Sequence, residues 1–208
     1  MSIENTLTLE YARPSHLNLA GFYPVTSCLG PGKRCIIWLQ GCLKRCPGCT
    51  NPDMQPLEDR MWIRIEELAA SVGTIQGIEG ITLVGGEPML QTEGVAKLFD
   101  ILRREYGLTT MLYTGYTLDY LIKAPRKAFS KVLALTDILV DGPYIKELDN
   151  SQKWRGSENQ TIHFLSSRYK DWQWVMNSKE RDIEIHLDDK GNYLVLGIPS
   201  EGLYERLP

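Results

Sequence analysis

Four short apolar, β-prone runs alternate with stretches of helical periodicity, and this restricts the fold of the 208-residue chain more than any other feature. The runs are CIIWLQ (35–40), GITLVGG (80–86), TTMLYTGY (109–116) and DILVDG (137–142). Between the first two, Ile65, Leu68, Ala69 and Val72 recur at the spacing of one helix face, and Val95, Leu98, Phe99 and Leu102 repeat it further on. A stretch rich in Leu, Ala and Lys over 117–134 predicts another helix, with Pro125 as a break or a helix start. A β-α-β-α-β-α-β order implies a mostly parallel sheet with right-handed crossovers. Beyond it, residues 145–161 are polar and aperiodic and read as a loop. IEIHL (183–187) and YLVLG (193–197) then flank Asp-Asp-Lys-Gly-Asn, which predicts a β-hairpin. The expected architecture is one α/β domain over 1–208, with a core of about 28–160 and a C-terminal extension of about 161–208 that carries the hairpin as an extra sheet edge.

Charge and leader signals narrow the setting. A net charge of −3 argues against broad nucleic-acid binding, which calls for a basic face. The opening MSIENTLTLEYARPSH lacks the basic start and apolar run of a signal peptide. No segment approaches the roughly 18 apolar residues of a membrane span, so no membrane partner is expected. A cytoplasmic location is expected, in which the five cysteines are thiols or metal ligands rather than disulfides.

Three of those cysteines, Cys42, Cys46 and Cys49, fall within GCLKRCPGCTNP (41–52) at the spacing C-x3-C-x2-C, and no fourth follows. A structural zinc site normally closes a set of four ligands from two separated Cys or His pairs. Here His16, His163 and His186 are all distant, His163 at the end of a polar loop and His186 in a hairpin strand. An electron-transfer ferredoxin also takes four thiolates. Cys28 and Cys35 lie upstream, but Cys35 opens an apolar strand and reads as a core thiol, and Cys28 in SCLGPG reads equally as a solvent-facing one. The third reading is a [4Fe-4S] cluster on three cysteines, with one iron left open for a substrate or cofactor, as catalytic zinc keeps a position open.

The C-x3-C-x2-C loop resembles that of the radical S-adenosylmethionine (radical SAM) superfamily. The resemblance implies a partial (β/α) barrel and a fourth iron that chelates the amino and carboxylate groups of S-adenosylmethionine (SAM). It also implies reductive cleavage of SAM to a 5'-deoxyadenosyl radical, and cluster potentials reach as low as roughly −700 mV. Superfamily members carry a glycine-rich turn after the second strand, and ITLVGGEPML supplies Gly85, Gly86, Glu87 and Pro88 there. Exposed backbone groups and Glu87 would receive the methionine ammonium. The run GPGKRCIIWLQGCLKRCPGC (30–49) is similar to glycyl-radical activating enzymes, in particular the small activases of anaerobic ribonucleotide reductases. YTGY (113–116), DILVDGPY (137–144) and WRGSENQ (154–160) look like that group too. Many radical SAM enzymes have an aromatic residue before the last cysteine; here Gly48 stands there, within the CPGC these activases share.

By this resemblance Tyr113, Thr114, Asp141 and Arg155 join the expected cofactor-binding set, and Cys42, Cys46 and Cys49 are the expected metal ligands. Each has a simpler reading: Tyr113 and Tyr116 as aromatics packing the core, Asp141-Gly142-Pro143 as an ordinary turn, Arg155 as a solvated loop charge. Lys33 and Arg34, with Lys44 and Arg45, read as a basic edge, either merely solvated or a docking face for an acidic one-electron donor such as flavodoxin. No Ser-His-Asp or paired-carboxylate signature is present, and hydrogen abstraction requires none, because the cofactor carries the hard chemistry. The implied substrate is a polypeptide: a glycyl-radical enzyme, or a ribosomally made precursor peptide handled by a radical SAM maturase with or without a small peptide-binding subunit. An iron-sulfur electron carrier or a zinc-stabilised binding module is the reading of another class.

Overall fold

A computed structural model describes residues 13–200 together with 202 and 203. The chain enters through β1 (His16–Thr26) and continues with β2 (Arg34–Leu39), β3 (Met61–Arg64) and α1 (Ile65–Gly73). Then come β4 (Gly80–Gly85), α2 (Thr92–Tyr106), β5 (Thr109–Tyr113), α3 (Leu118–Lys123), α4 (Lys127–Leu135), β6 (Ile138–Asp141) and β7 (Thr161–Phe164). Seven strands form one sheet in the order β3-β1-β2-β4-β5-β6-β7. Its centre, β2-β4-β5-β6, is parallel, as the alternation of elements requires. β1, β3 and β7 are antiparallel additions at the two sides.

The central strands read as unbroken apolar runs because both faces of the sheet are covered. Ile81, Leu83, Leu112 and Leu139 pack with Leu68, Val72, Leu98 and Phe99 of α1 and α2, and with Phe129 and Val132 of α4. On the other face Met111, Ile138 and Val140 meet Trp154, Ile162, Tyr169 and Val175. α2 ends where Gly107 takes φ 67, a left-handed position that suits glycine, with Arg103 and Arg104 in the last turn.

The stretch over 117–134 breaks at Pro125 into two helices, because Ala124, which precedes it, is held extended at ψ 134. Three expectations are corrected. The hairpin strands β8 (Ile183–Leu187) and β9 (Tyr193–Gly197) form a separate two-stranded sheet rather than another edge of the main one. Cys28 is buried with Leu29, Ile36, Val84 and Leu196. Arg34 is no part of a basic edge, for it is fully buried. Its guanidinium donates to the Thr82 hydroxyl at 2.8 Å, the Thr109 hydroxyl at 3.0 Å and the Ile81 carbonyl at 2.5 Å. Burial pulls its pKa down, and these acceptors replace the lost water. Among the described residues no helix is long and apolar enough to cross a membrane.

Candidate metal and cofactor site

The C-terminal ends of parallel strands are where an open α/β sheet offers a crevice, and β2, β4 and β5 run out together here. β2 leads through Gln40 into the cysteine loop. That loop is pinned at its base, where the Gly41 amide donates to the Met54 carbonyl at 2.8 Å and the Cys42 amide to Gln55 at 2.9 Å. The Gln40 side-chain amide, held inside, donates to the Pro56 carbonyl at 2.9 Å. Cys42, Cys46 and Cys49 are all half-buried. The Lys44 amide points at the Cys42 sulfur and the Asn51 amide at the Cys49 sulfur, each at 3.4 Å.

β4 ends beside this loop in Gly85, Gly86 and Glu87. A Cβ on Gly86 would sit 2.2 Å from the Gly41 carbonyl oxygen and 2.8 Å from that of Met54. Gly85 has φ +106, and a Cβ there would meet the Leu39 backbone at 2.5 Å. Only glycine lets the two strand ends approach this closely. The Gly86 amide donates to Leu39 and the Glu87 amide to Gly41, both at 2.7 Å.

Glu87 is buried, and its carboxylate gathers the site. It accepts from the Met89 amide at 2.9 Å, the Thr114 hydroxyl at 2.7 Å and the Gly115 amide at 2.7 Å. Burial raises its pKa, opposed by these three donors and by the nearby Lys44 charge. The Lys44 ammonium itself lies 3.4 Å from the centre of the Tyr116 ring, a cation–π contact. Burial, together with the charge of Glu87, pushes the Cys42 thiol up to about 11.

These residues surround one cavity of about 580 Å³, lined by the three cysteines, Gly85, Gly86, Glu87, Tyr113 and Thr114. That volume falls within the roughly 300–1,000 Å³ that suits one small ligand or cofactor. The hydroxyl of Tyr113 is buried and has no hydrogen-bond partner, and burial raises its pKa. An orphaned phenol beside three half-buried thiols fits a bound group that supplies both a polar partner and a metal. Among the described residues no three His, Cys, Asp or Glu side chains are already gathered as a metal-binding group. The cysteines thus share a wall without being closed around one point, which fits ligands that converge on binding.

Pro88, Asp141 and Arg155 are not among the lining residues. Pro88 is buried at the start of the 3-10 turn that Glu87 caps. Asp141 accepts from the Leu118 amide at 2.5 Å and lies 3.1 Å from the His163 ring, so it joins β6, β7 and α3. Arg155 is buried and donates to the carbonyls of Gln160 at 3.2 Å and Met176 at 2.6 Å. Other walls were not read from the sequence: Ala20, Gly21 and Phe22 of β1, and Tyr193, Leu194 and Val195 of β9. Their one signal is the apolar content of YLVLG on both faces of a strand that ought to have a wet side.

Set against known proteins, residues 28–163 match the model of a family described as a 4Fe-4S single cluster domain. The chain is accordingly an iron-sulfur protein of the radical SAM superfamily with one 4Fe-4S cluster. It is similar to the anaerobic ribonucleoside-triphosphate reductase-activating protein of Escherichia coli (strain K12), with 33% identity over 163 residues, 72% of this chain and 99% of the relative. The protein of that name from Salmonella typhi is 35% identical over 155 residues, 69% of this chain and 96% of its own length. The one from Enterobacteria phage T4 is 28% identical over 152 residues, 70% and 93% respectively. The chain belongs to the family of anaerobic ribonucleoside-triphosphate reductase-activating proteins, and its cofactors are a 4Fe-4S cluster and SAM.

Proposed function

We propose that the chain activates an anaerobic ribonucleotide reductase, using a SAM-derived radical to take a hydrogen atom from a glycine of that polypeptide. Cys42, Cys46 and Cys49 hold the cluster in this reading. The bound cofactors supply one reducing electron and, from SAM, a 5'-deoxyadenosyl radical. The protein's own residues provide position and protection. Gly85 and Gly86 admit a ligand against bare backbone, and Glu87 receives the methionine ammonium on the lone pairs its three donors leave. Tyr113 forms part of the wall that receives the bound cofactor, and Thr114 keeps the Glu87 carboxylate in place. Pro88, Asp141 and Arg155 act from behind the wall as positioning residues. The apolar walls keep the reacting groups close and shut out stray hydrogen donors and dioxygen, which would otherwise quench a radical.

In this reading residues 1–208 are one domain, and the seven-stranded sheet is the wall of a partial (β/α) barrel. The electron comes from an external donor such as flavodoxin, and the setting is the cytoplasm, where thiols stay reduced. The carrying observation is that the three cysteines, the Gly85–Glu87 turn and Tyr113 all border one cavity.

The test is anaerobic reconstitution with iron and sulfide, followed by dithionite and SAM. The expected result is 5'-deoxyadenosine from the native protein, none from Cys46→Ala, and a glycyl radical signal on added reductase. Absence of 5'-deoxyadenosine would leave an electron carrier or binding module. A mass change on a short precursor peptide, with no radical on the reductase, would replace the activase by a maturase.

A further inference from the structure

The segment matched by the family model ends at residue 163, and the hairpin of β8 and β9 lies beyond it. The hairpin is nevertheless fixed to the cavity. In its register Glu184 lies opposite Leu196 and His186 opposite Leu194, so these four share one face. That face meets the protein body. The Ser27 amide donates to the Glu184 carboxylate at 2.8 Å, and the His186 ring lies 3.1 Å from the Tyr23 hydroxyl. Leu196 is fully buried against Cys28, Leu29 and Ile36.

The other face pairs Ile183 with Gly197, Ile185 with Val195 and Leu187 with Tyr193, so it carries no polar group beyond one phenol. Much of it is uncovered: Ile185 is 40% exposed, Leu187 66% and Tyr193 38%. A run of apolar side chains open to water is the kind of surface that a partner covers. Its position says which partner. Tyr193, Val195 and Gly197 belong both to this face and to the lining of the cavity, and Phe22, 55% exposed, stands on the same rim. A cavity of about 580 Å³ takes a cofactor but no folded partner, so a macromolecular hydrogen donor must enter as a thread. The thread would lie where apolar surface and unpaired strand edges both run into the mouth, and a two-stranded sheet leaves both outer edges unpaired.

We infer that the β8–β9 hairpin is the docking strip for the polypeptide to be activated, taking an extended apolar segment that leads its glycine over the three cysteines. This rests on the function proposed above. Neither Ile185 nor Leu187 lines the cavity, so changes there address docking separately from cofactor chemistry.

The experiment uses the full-length reconstituted protein and the purified anaerobic reductase from the same source, with affinity measured by biolayer interferometry. Leu187→Glu and Ile185→Glu are each expected to weaken binding about tenfold, as a disrupted interface anchor does. Leu187→Met should bind as the native protein does, and a photo-crosslinker placed at 187 should capture the reductase. Unchanged affinity in both glutamate variants would overturn the inference. So would a native dimer that Leu187→Glu dissolves, since the strip would then join two copies of this chain. The 5'-deoxyadenosine formed by the native protein without reductase reads the underlying function on its own. If none appears that function fails, while the affinity series still decides the strip.

Discussion

The Thr114 hydroxyl donates to the buried Glu87 carboxylate at 2.7 Å, and through it the end of β5 is tied to the end of β4 beside the cysteine loop. Thr114→Val keeps the shape but removes one of three donors to a desolvated carboxylate. The expected stability loss is about 1–2 kcal/mol. In equilibrium dialysis of the reconstituted protein, SAM affinity should fall about tenfold, the equivalent of 1.4 kcal/mol. Thr114→Ser, which restores the donor, should recover most of both.

Gly86 lets two backbones touch. Gly86→Ala would place a Cβ 2.2 Å from the Gly41 carbonyl, so the cysteine loop must move away from β4. The expected outcome is a folded protein that retains under half the native iron and sulfide after reconstitution and desalting. Colorimetric iron analysis decides it, and native iron content would show that the close contact is dispensable.

Asp137 contributes to the acid limb of stability, as Asp141 and Glu184 do. Burial raises its pKa, but bonds from Ser166 at 2.6 Å, Arg103 at 2.5 Å and the Thr110 amide at 2.9 Å outweigh it and hold the carboxyl below its ordinary value. A carboxyl depressed on folding stabilises the fold above its unfolded pKa of about 3.9. That contribution is lost as pH falls through the folded pKa. Urea denaturation between about pH 5 and pH 2 should therefore show falling stability in the native protein. Asp137→Asn should flatten that slope and cost about 2–3 kcal/mol at pH 7.

Arg181 clasps the far wall of the cavity from outside the family-matched segment. Its guanidinium meets Asp149 at 2.6 and 3.2 Å and the carbonyls of Arg155 and Gly156 at 2.9 Å each. Gly156 lines the cavity, and its amide donates to the Gln160 side chain at 2.7 Å. Arg181→Met should cost about 2–3 kcal/mol, between the values for exposed and fully buried ion pairs. SAM binding by the reconstituted protein should weaken severalfold, and Arg181→Lys should recover only part, because an ammonium lacks the fork. Thermal melts with and without SAM separate the two effects.

The parallel centre of the sheet was legible because its strands are buried on both faces and their helices keep one apolar stripe. The hairpin was legible to the residue because Asp188 to Asn192 is a turn with its own hydrogen bonds, Asp188 accepting from Lys190 and Asn192 at 2.9 Å. β1 was missed. It carries Gly21 and Pro24, and two register shifts against β2 break the alternation that marks a strand. β3 has only four residues at an edge, too few for a pattern. Arg34 misled because charge alone implies surface, whereas five acceptors from three segments are visible only after folding. The cysteine loop and the Gly85–Glu87 turn could be read because local spacing fixes them. The β9 wall could not, because nothing in YLVLG says which distant surface it covers.

The order in which the walls are encoded gives synthesis a direction. The cysteine loop, the glycine turn and the far wall are all made before β9, and a nascent chain is released from its N-terminal end. Until the hairpin arrives, Leu196 has not closed over Cys28 and Ile36, and the chamber is an open trough. That interval is when a donor of iron and sulfide has the widest path to the thiols. Once the last strand lands, Tyr193, Leu194 and Val195 complete the wall of the chamber.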